Sequence, residues 1–140
     1  MNTMPSGPGP QQPAGGLLAP PVEPDEIGRL AHYRVLRELG RGGMGAVFLA
    51  EDALLTRRVA LKVMLPAVAA RDDARARFLR EGRAVAALKH DHIVTVYGAG
   101  EENGVPYLAM ELLAGQTLDD WLRPDRRATP AQVLAIGRQI

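Results

Sequence analysis

Cysteine is absent from this chain of 140 residues, which excludes disulfides and thiolate-ligated metal sites. That absence fits a reducing, cytoplasmic setting. Long apolar runs are missing too, none approaching the roughly 18–20 residues that a membrane-spanning helix needs. No lysine or arginine precedes Arg29, and the start is rich in proline and glycine, so it does not read as a secretory signal. An anchor further along a longer parent chain is compatible with this reading. Excess charge is also lacking: 17 basic against 16 acidic residues leave a formal net charge of +1. The basic residues are nearly all arginine and are scattered, so neither a nucleic-acid surface nor a polybasic membrane patch is expected.

What is present suffices for one modest domain and a tail. Hydrophobic residues make up 46% of the chain, enough to build a core. Residues 1–28 form a block of their own, in which Pro5, Pro8, Pro10, Pro13, Pro20, Pro21 and Pro24 alternate with Gly7, Gly9, Gly15 and Gly16. Proline removes backbone donors and glycine raises the entropy of ordering, so a disordered tail is expected there. A ligand for a proline-recognising domain is the functional alternative.

From Tyr33 the pattern becomes that of strands. Tyr33-Arg-Val-Leu-Arg-Glu-Leu39 runs into Gly40-Arg-Gly-Gly-Met-Gly45, and the β-prone Ala46-Val-Phe-Leu-Ala50 follows at once. A third strand, Arg58-Val-Ala-Leu-Lys-Val-Met64, places Val59, Leu61 and Val63 on one face and Ala60, Lys62 and Met64 on the other. Pro66 ends it. A helix is predicted over residues 72–88, capped by Asp72 or Asp73, with Phe78, Glu81, Val85 and Leu88 along one stripe. Ile93-Val-Thr-Val-Tyr97 and Tyr107-Leu-Ala-Met110 read as two further strands, and Asn103-Gly104 supplies a tight turn between them. Thr117 and Thr129-Pro130 open two helical segments. The last apolar pattern, Val133, Ile136 and Ile140, is unfinished, so Ile140 reads as a truncation point.

Three features carry chemistry. Gly40, Gly42 and Gly45 fit a G-x-G-x-x-G spacing, and polyphosphate needs backbone amides free of an obstructing Cβ. A glycine-rich hairpin without a ligand is the plain alternative. A dinucleotide site is the chemical rival, but it requires a helix immediately after the glycines, where this sequence reads as strand. Lys62 lies in an apolar strand, and Glu81 shares the stripe of Phe78, Val85 and Leu88, which would turn it inward. An inward carboxylate needs a cation, and Lys62 is the economical partner. The competing reading leaves Glu81 on a solvated face near Arg77, Arg80 and Arg83.

Gly40-Arg-Gly-Gly-Met-Gly-Ala-Val47, Val59-Ala-Leu-Lys62, Glu81 in Phe78-Leu-Arg-Glu81, His92-Ile-Val94 and Tyr107-Leu-Ala-Met-Glu-Leu-Leu-Ala-Gly115 together resemble protein kinases. The Gly-Gly-Met-Gly wording is most similar to bacterial serine/threonine kinases, and the resemblance extends from about Tyr33 to the end. It implies an α+β fold: a protein-kinase-like amino-terminal lobe over residues 29–114, with a five-stranded antiparallel sheet and one packed helix, then the start of a second, mostly helical lobe over 115–140.

The resemblance also implies roles. Gly40, Arg41, Gly42, Gly43 and Gly45 would cover the ATP phosphates, and Lys62, held by Glu81, would contact the α- and β-phosphates. Val47 and Ala60 would enclose the adenine, with Met110 as gatekeeper. The Glu111 carbonyl and the Leu113 amide would hydrogen-bond the base, with Thr117 near the ribose. His90 and His92 fall in a structural helix-to-strand connection, and Asp91 departs from the usual Pro-Asn wording there.

No His-Arg-Asp type catalytic loop and no Asp-Phe-Gly segment occurs in these residues, so the catalytic base and the magnesium ligands are absent. The chain alone is therefore expected not to catalyse and to bind ATP poorly. Its parent would phosphorylate serine or threonine on protein substrates in the cytoplasm with ATP and Mg2+, and dimerisation through the amino-terminal lobe is compatible with the family. A non-catalytic kinase-like module that binds a nucleotide or a partner is the alternative.

Overall fold

The computed structural model describes residues 16–123 and 127–140. Six antiparallel strands form one sheet in the order β1-β2-β3-β4-β6-β5, one strand more than the five expected. They are β1 (Gly28–Leu30), β2 (Tyr33–Arg41), β3 (Gly45–Asp52), β4 (Arg57–Met64), β5 (Val96–Glu102) and β6 (Val105–Met110). The helices are α1 (Pro66–Ala69), α2 (Asp72–Ala86), α3 (Leu118–Trp121) and α4 (Pro130–Gly137).

Alternation along the central strands decides where the core lies. Ala46, Phe48 and Ala50 of β3 and Val59, Leu61 and Val63 of β4 all point to one face and are fully buried. Val35 from β2 and Ala109 from β6 join the same cluster. The sheet curls so far that the Tyr33 ring, at the start of β2, meets Tyr107 of β6 edge-on at 5.6 Å between centroids. The β5–β6 connection is the tight turn that the sequence implied: Asn103 and Gly104 both take positive φ, 49° and 76°.

Several expectations need correction. Residues 16–28 do not form part of a disordered tail: Leu17, Leu18 and Glu26 are buried, and Gly28 already begins β1. The proline spacing concealed two adjacent leucines able to reach the core and an acid able to pair with arginine. Residues 1–15 of the expected tail lie outside the described residues. The last predicted strand pair is shifted on its first member, because β5 begins at Val96 rather than Ile93. Gly98 and Gly100 disguised it; Gly100 pairs with Tyr107, whose ring occupies the space that a Cβ at position 100 would take. Neither Asp72 nor Asp73 caps α2. Arg71 is the N-cap, with no side-chain cap bond, and both acids lie in the first turn, where they favour the helix dipole. The two threonines behave as predicted. Thr117 accepts from the Asp120 amide, and Thr129 forms a reciprocal capping box with Gln132 ahead of Pro130.

Candidate functional site

The face of the sheet opposite the core collects most of the predicted site. Antiparallel register sets Lys62 opposite Val47 on one side and Leu108 on the other, while Ala60 is opposite Leu49 and Met110. Directly opposed residues share a face, so Val47, Ala60, Lys62, Leu108 and Met110 line one surface. Gly40 adjoins it as the ladder partner of Val47. The surface is graded: Ala60 and Leu108 are buried, whereas Val47, Lys62 and Met110 are half-buried. It combines a flat apolar floor with one ammonium.

The glycine segment forms the rim. Both flanking strands extend into it, leaving residues 42–44 as the turn, closed by a 2.8 Å bond from the Gly42 amide to the Gly45 carbonyl. A Cβ at Gly40, Gly42 or Gly43 would meet nothing within 4 Å, so this side of the loop is open for a ligand's approach. Gly45 is glycine for another reason: a Cβ there would lie 2.6 Å from the Val63 carbonyl oxygen. Arg41 does not extend freely from the loop. Its guanidinium forks onto Glu38, donating from Nη2 at 2.7 Å and from Nε at 3.1 Å, and this pairing holds the Glu38 carboxyl below its ordinary range. That clasp was not anticipated, although the i,i+3 spacing of opposite charges was legible.

Helix α2 lies over the same face. Gly82 is buried, and a Cβ there would lie 2.2 Å from Leu108 Cδ2, so the helix touches the sheet through a bare backbone beside the cross-strand neighbour of Lys62. The inward stripe is therefore Ala74, Phe78, Gly82 and Val85: Phe78 and Val85 lie on it as expected, Gly82 takes the place expected for Glu81, and Leu88 is exposed beyond the end of the helix at Ala86. Glu81 is exposed at its flank, and no Lys62–Glu81 ion pair within 4.0 Å exists among the described residues. The inward reading of Glu81 is thus corrected: a helix places only one of two consecutive residues at its contact line, and glycine allows the closer approach. The two side chains belong to elements packed on one face, with their charges unjoined.

At the end of β6 the chain leaves the sheet. The Glu111 amide donates to the Thr95 carbonyl at 2.8 Å. Among the described residues, no hydrogen bond uses the Glu111 carbonyl or the Leu113 amide. Leu113 and Thr117 are exposed. His90 and His92 are also exposed; their rings are 5.3 Å apart, and the His92 amide donates to His90 Nδ1 at 3.1 Å. The dinucleotide reading fails, because β3, a strand, follows the glycines.

Comparison with known proteins bears on this geometry. The protein kinase domain family matches residues 33–140. Serine/threonine-protein kinase PrkC of Bacillus subtilis is 38% identical over 108 residues, which are 77% of this chain and 17% of PrkC. Serine/threonine-protein kinase PknD of Mycobacterium tuberculosis is 42% identical over 108 residues, again 77% of this chain and 16% of the relative. Among solved structures, the Mycobacterium tuberculosis PknI kinase domain superposes with a TM-score of 0.68 at 36% identity, covering 79% of this chain and 46% of that domain. The chain thus spans under a fifth of the length of those two curated relatives and under half of the kinase domain it superposes on.

Proposed function

Because the chain belongs to the protein kinase family, we propose that it is the ATP-binding part of a serine/threonine protein kinase, whose parent transfers the γ-phosphoryl group of ATP to hydroxyls of protein substrates. The observation that carries this reading is the single sheet face on which Val47, Ala60, Lys62 and Met110 meet beneath the open side of the glycine loop.

The residues fit a nucleotide. Polyphosphate requires unobstructed backbone and a fixed cation, which the space at Gly40, Gly42 and Gly43 and the half-buried Lys62 supply. A purine requires a flat apolar slot ending in free backbone polar groups, for which Val47, Ala60 and Met110 and then the Glu111 carbonyl and Leu113 amide are suited. Thr117 is assigned to the ribose side. Gly45 contributes by holding the loop against β4. Arg41, clasped by Glu38, stiffens the loop at its rim.

Lys62 acts as a positioned charge, and Glu81 is its orienting partner when α2 turns that carboxylate inward. The family's magnesium ligands and catalytic base have no counterpart in these residues, so phosphoryl transfer and the use of Mg2+ belong to the parent. Cytoplasmic location and protein substrates follow from the same reading. No described helix is long and apolar enough to cross a membrane.

The test is Lys62→Met in a chain extended through the rest of the kinase domain. Phosphorylation should fall to background while the thermal midpoint stays nearly unchanged; retained activity would remove Lys62 from its role.

A further inference from the structure

The family match starts at residue 33, yet residues ahead of it, Leu17, Leu18, Glu26, Gly28 and Leu30, are buried in the structure. Leu17 and Leu18 enter the main core cluster, against which Val105 and Tyr107 also pack. Ala19 and Arg29 exchange two backbone hydrogen bonds, at 2.8 and 2.9 Å, so the segment doubles back on itself before β1 joins the sheet. Gly28 permits this fold-back, since a Cβ there would lie 2.7 Å from the Ala19 carbonyl oxygen and 2.8 Å from Leu18 Cβ. A cavity of about 250 Å³ lies between residues 16–19 and the β5–β6 turn at Glu102, Asn103 and Val105. The segment therefore lies where the two ends of the curled sheet approach each other.

Its fastening is ionic. The Glu26 side chain is completely buried and receives five hydrogen bonds. Arg29 donates from Nε at 2.8 Å and Nη2 at 3.2 Å, Arg34 donates from Nε at 3.1 Å, and the amides of Val22 and Glu23 complete the set. Arg34, on β2, then spreads its remaining donors to Glu51 on β3 at 3.1 Å and to Asp25 at 2.8 Å. One guanidinium thus ties the segment to two strands of the sheet. A buried carboxylate is tolerated only when so completely satisfied.

We propose that residues 16–30 form a strap that closes the seam of the curled sheet, and that the Glu26–Arg34 pair is the latch holding it. The cooperative unit of this lobe then includes residues 16–30 in addition to the region from residue 33 that the family matches. Opening the latch would free the strap, uncover Leu30, Tyr33 and Val105, and leave the edge of β2 without its partner.

Native-state hydrogen exchange on the full chain tests this. In the wild type, the amides of Ala19, Ile27 and Arg29, which donate to Arg29, Val35 and Ala19, should be protected. Glu26→Gln, which keeps the shape and removes the charge, should speed their exchange at least about tenfold while α2 is little affected. The exposed-pair variant Glu38→Gln should not. Unchanged exchange in Glu26→Gln, or free-peptide rates in the wild type, would overturn the proposal. Should Glu26→Gln unfold the whole chain, Arg34→Lys, which keeps charge but loses the fork, reports on the same amides and must accelerate them. Removing residues 1–30 should lower the thermal midpoint sharply or prevent folding; a midpoint equal to that of the full chain would contradict the strap.

Discussion

Glu26 and Glu81 stand within one small lobe under opposite conditions. Glu26 is sealed from water, and two arginines and two amides satisfy it completely. Glu81 lies at the flank of α2, exposed, one residue from the contact that seats the helix and without a bond to Lys62. A buried, fully bonded carboxylate fixes a conformation, because losing any donor leaves an unpaired charge in the protein interior. An exposed carboxylate and a half-buried ammonium that are not joined to each other are both free to respond to a third charge. The first arrangement suits architecture and the second suits a ligand.

The difference should appear most strongly in paired substitutions. Glu26→Ala should lower the thermal midpoint by roughly 10 °C or more, since it strands Arg34 among its remaining partners. Glu81→Ala should change it by no more than about 2 °C, as exposed unpaired charges do. Calorimetry on the two variants decides, and equal effects would break the contrast.

A second, smaller effect concerns the glycine loop. Gly45→Ala should cost ~1–3 kcal/mol in urea unfolding, because its Cβ meets a backbone carbonyl that cannot yield. Gly42→Ala, facing open space, should cost a few tenths of that or less.

Acid provides a third comparison. Hydrogen bonding from Arg29, helped by the Val22 amide and Arg34 and opposed by burial, holds the Glu26 carboxyl down to about 2 from an ordinary 4.5. A carboxyl depressed in the folded state stabilises fully above its unfolded value, and that contribution is lost as pH falls from about 4.5 toward about 2. The midpoint should therefore drop across that window in the wild type and more shallowly in Glu26→Gln. Parallel curves would show that the latch does not titrate.

The smallest expected signal lies at the other end of the chain. Helix α4 buries none of its residues, and Leu113, Leu122, Val133, Leu134 and Ile140 are exposed. Apolar surface of this kind should bind a hydrophobic dye or promote self-association. A dye-silent, monodisperse chain would contradict the expectation that a second lobe covers it.

Legibility in the sequence followed the physics of each element. Strands β2, β3, β4 and β6 were readable because alternation assigns Val59, Leu61 and Val63 to one face and Lys62 to the other without reference to anything distant. The Lys62 neighbourhood followed from motif order and then from register. Strap residues 16–30 were not readable, because Leu17 and Leu18 gain meaning only from a core cluster completed by residues far along the chain, Ala109 among them, and prolines masked them. Glu81 was misdirected for a related reason: a helical stripe is only as exact as its contact line, and between Phe78 and Val85 that line passes through Gly82, against Leu108, instead of Glu81. Glycine reads as a weak helix former in sequence, yet here it sets the closest approach of helix to sheet.

The proposed nucleotide site requires Lys62 to face the phosphates beneath the glycine loop. A titration of this chain with ATP, followed by backbone amide and lysine side-chain NMR, tests that most directly. Progressive shifts at Gly40, Gly42, Gly43 and the Lys62 ammonium, abolished by Lys62→Met, are the predicted result. Shifts that avoid the loop, or that survive unchanged in Lys62→Met, would contradict it.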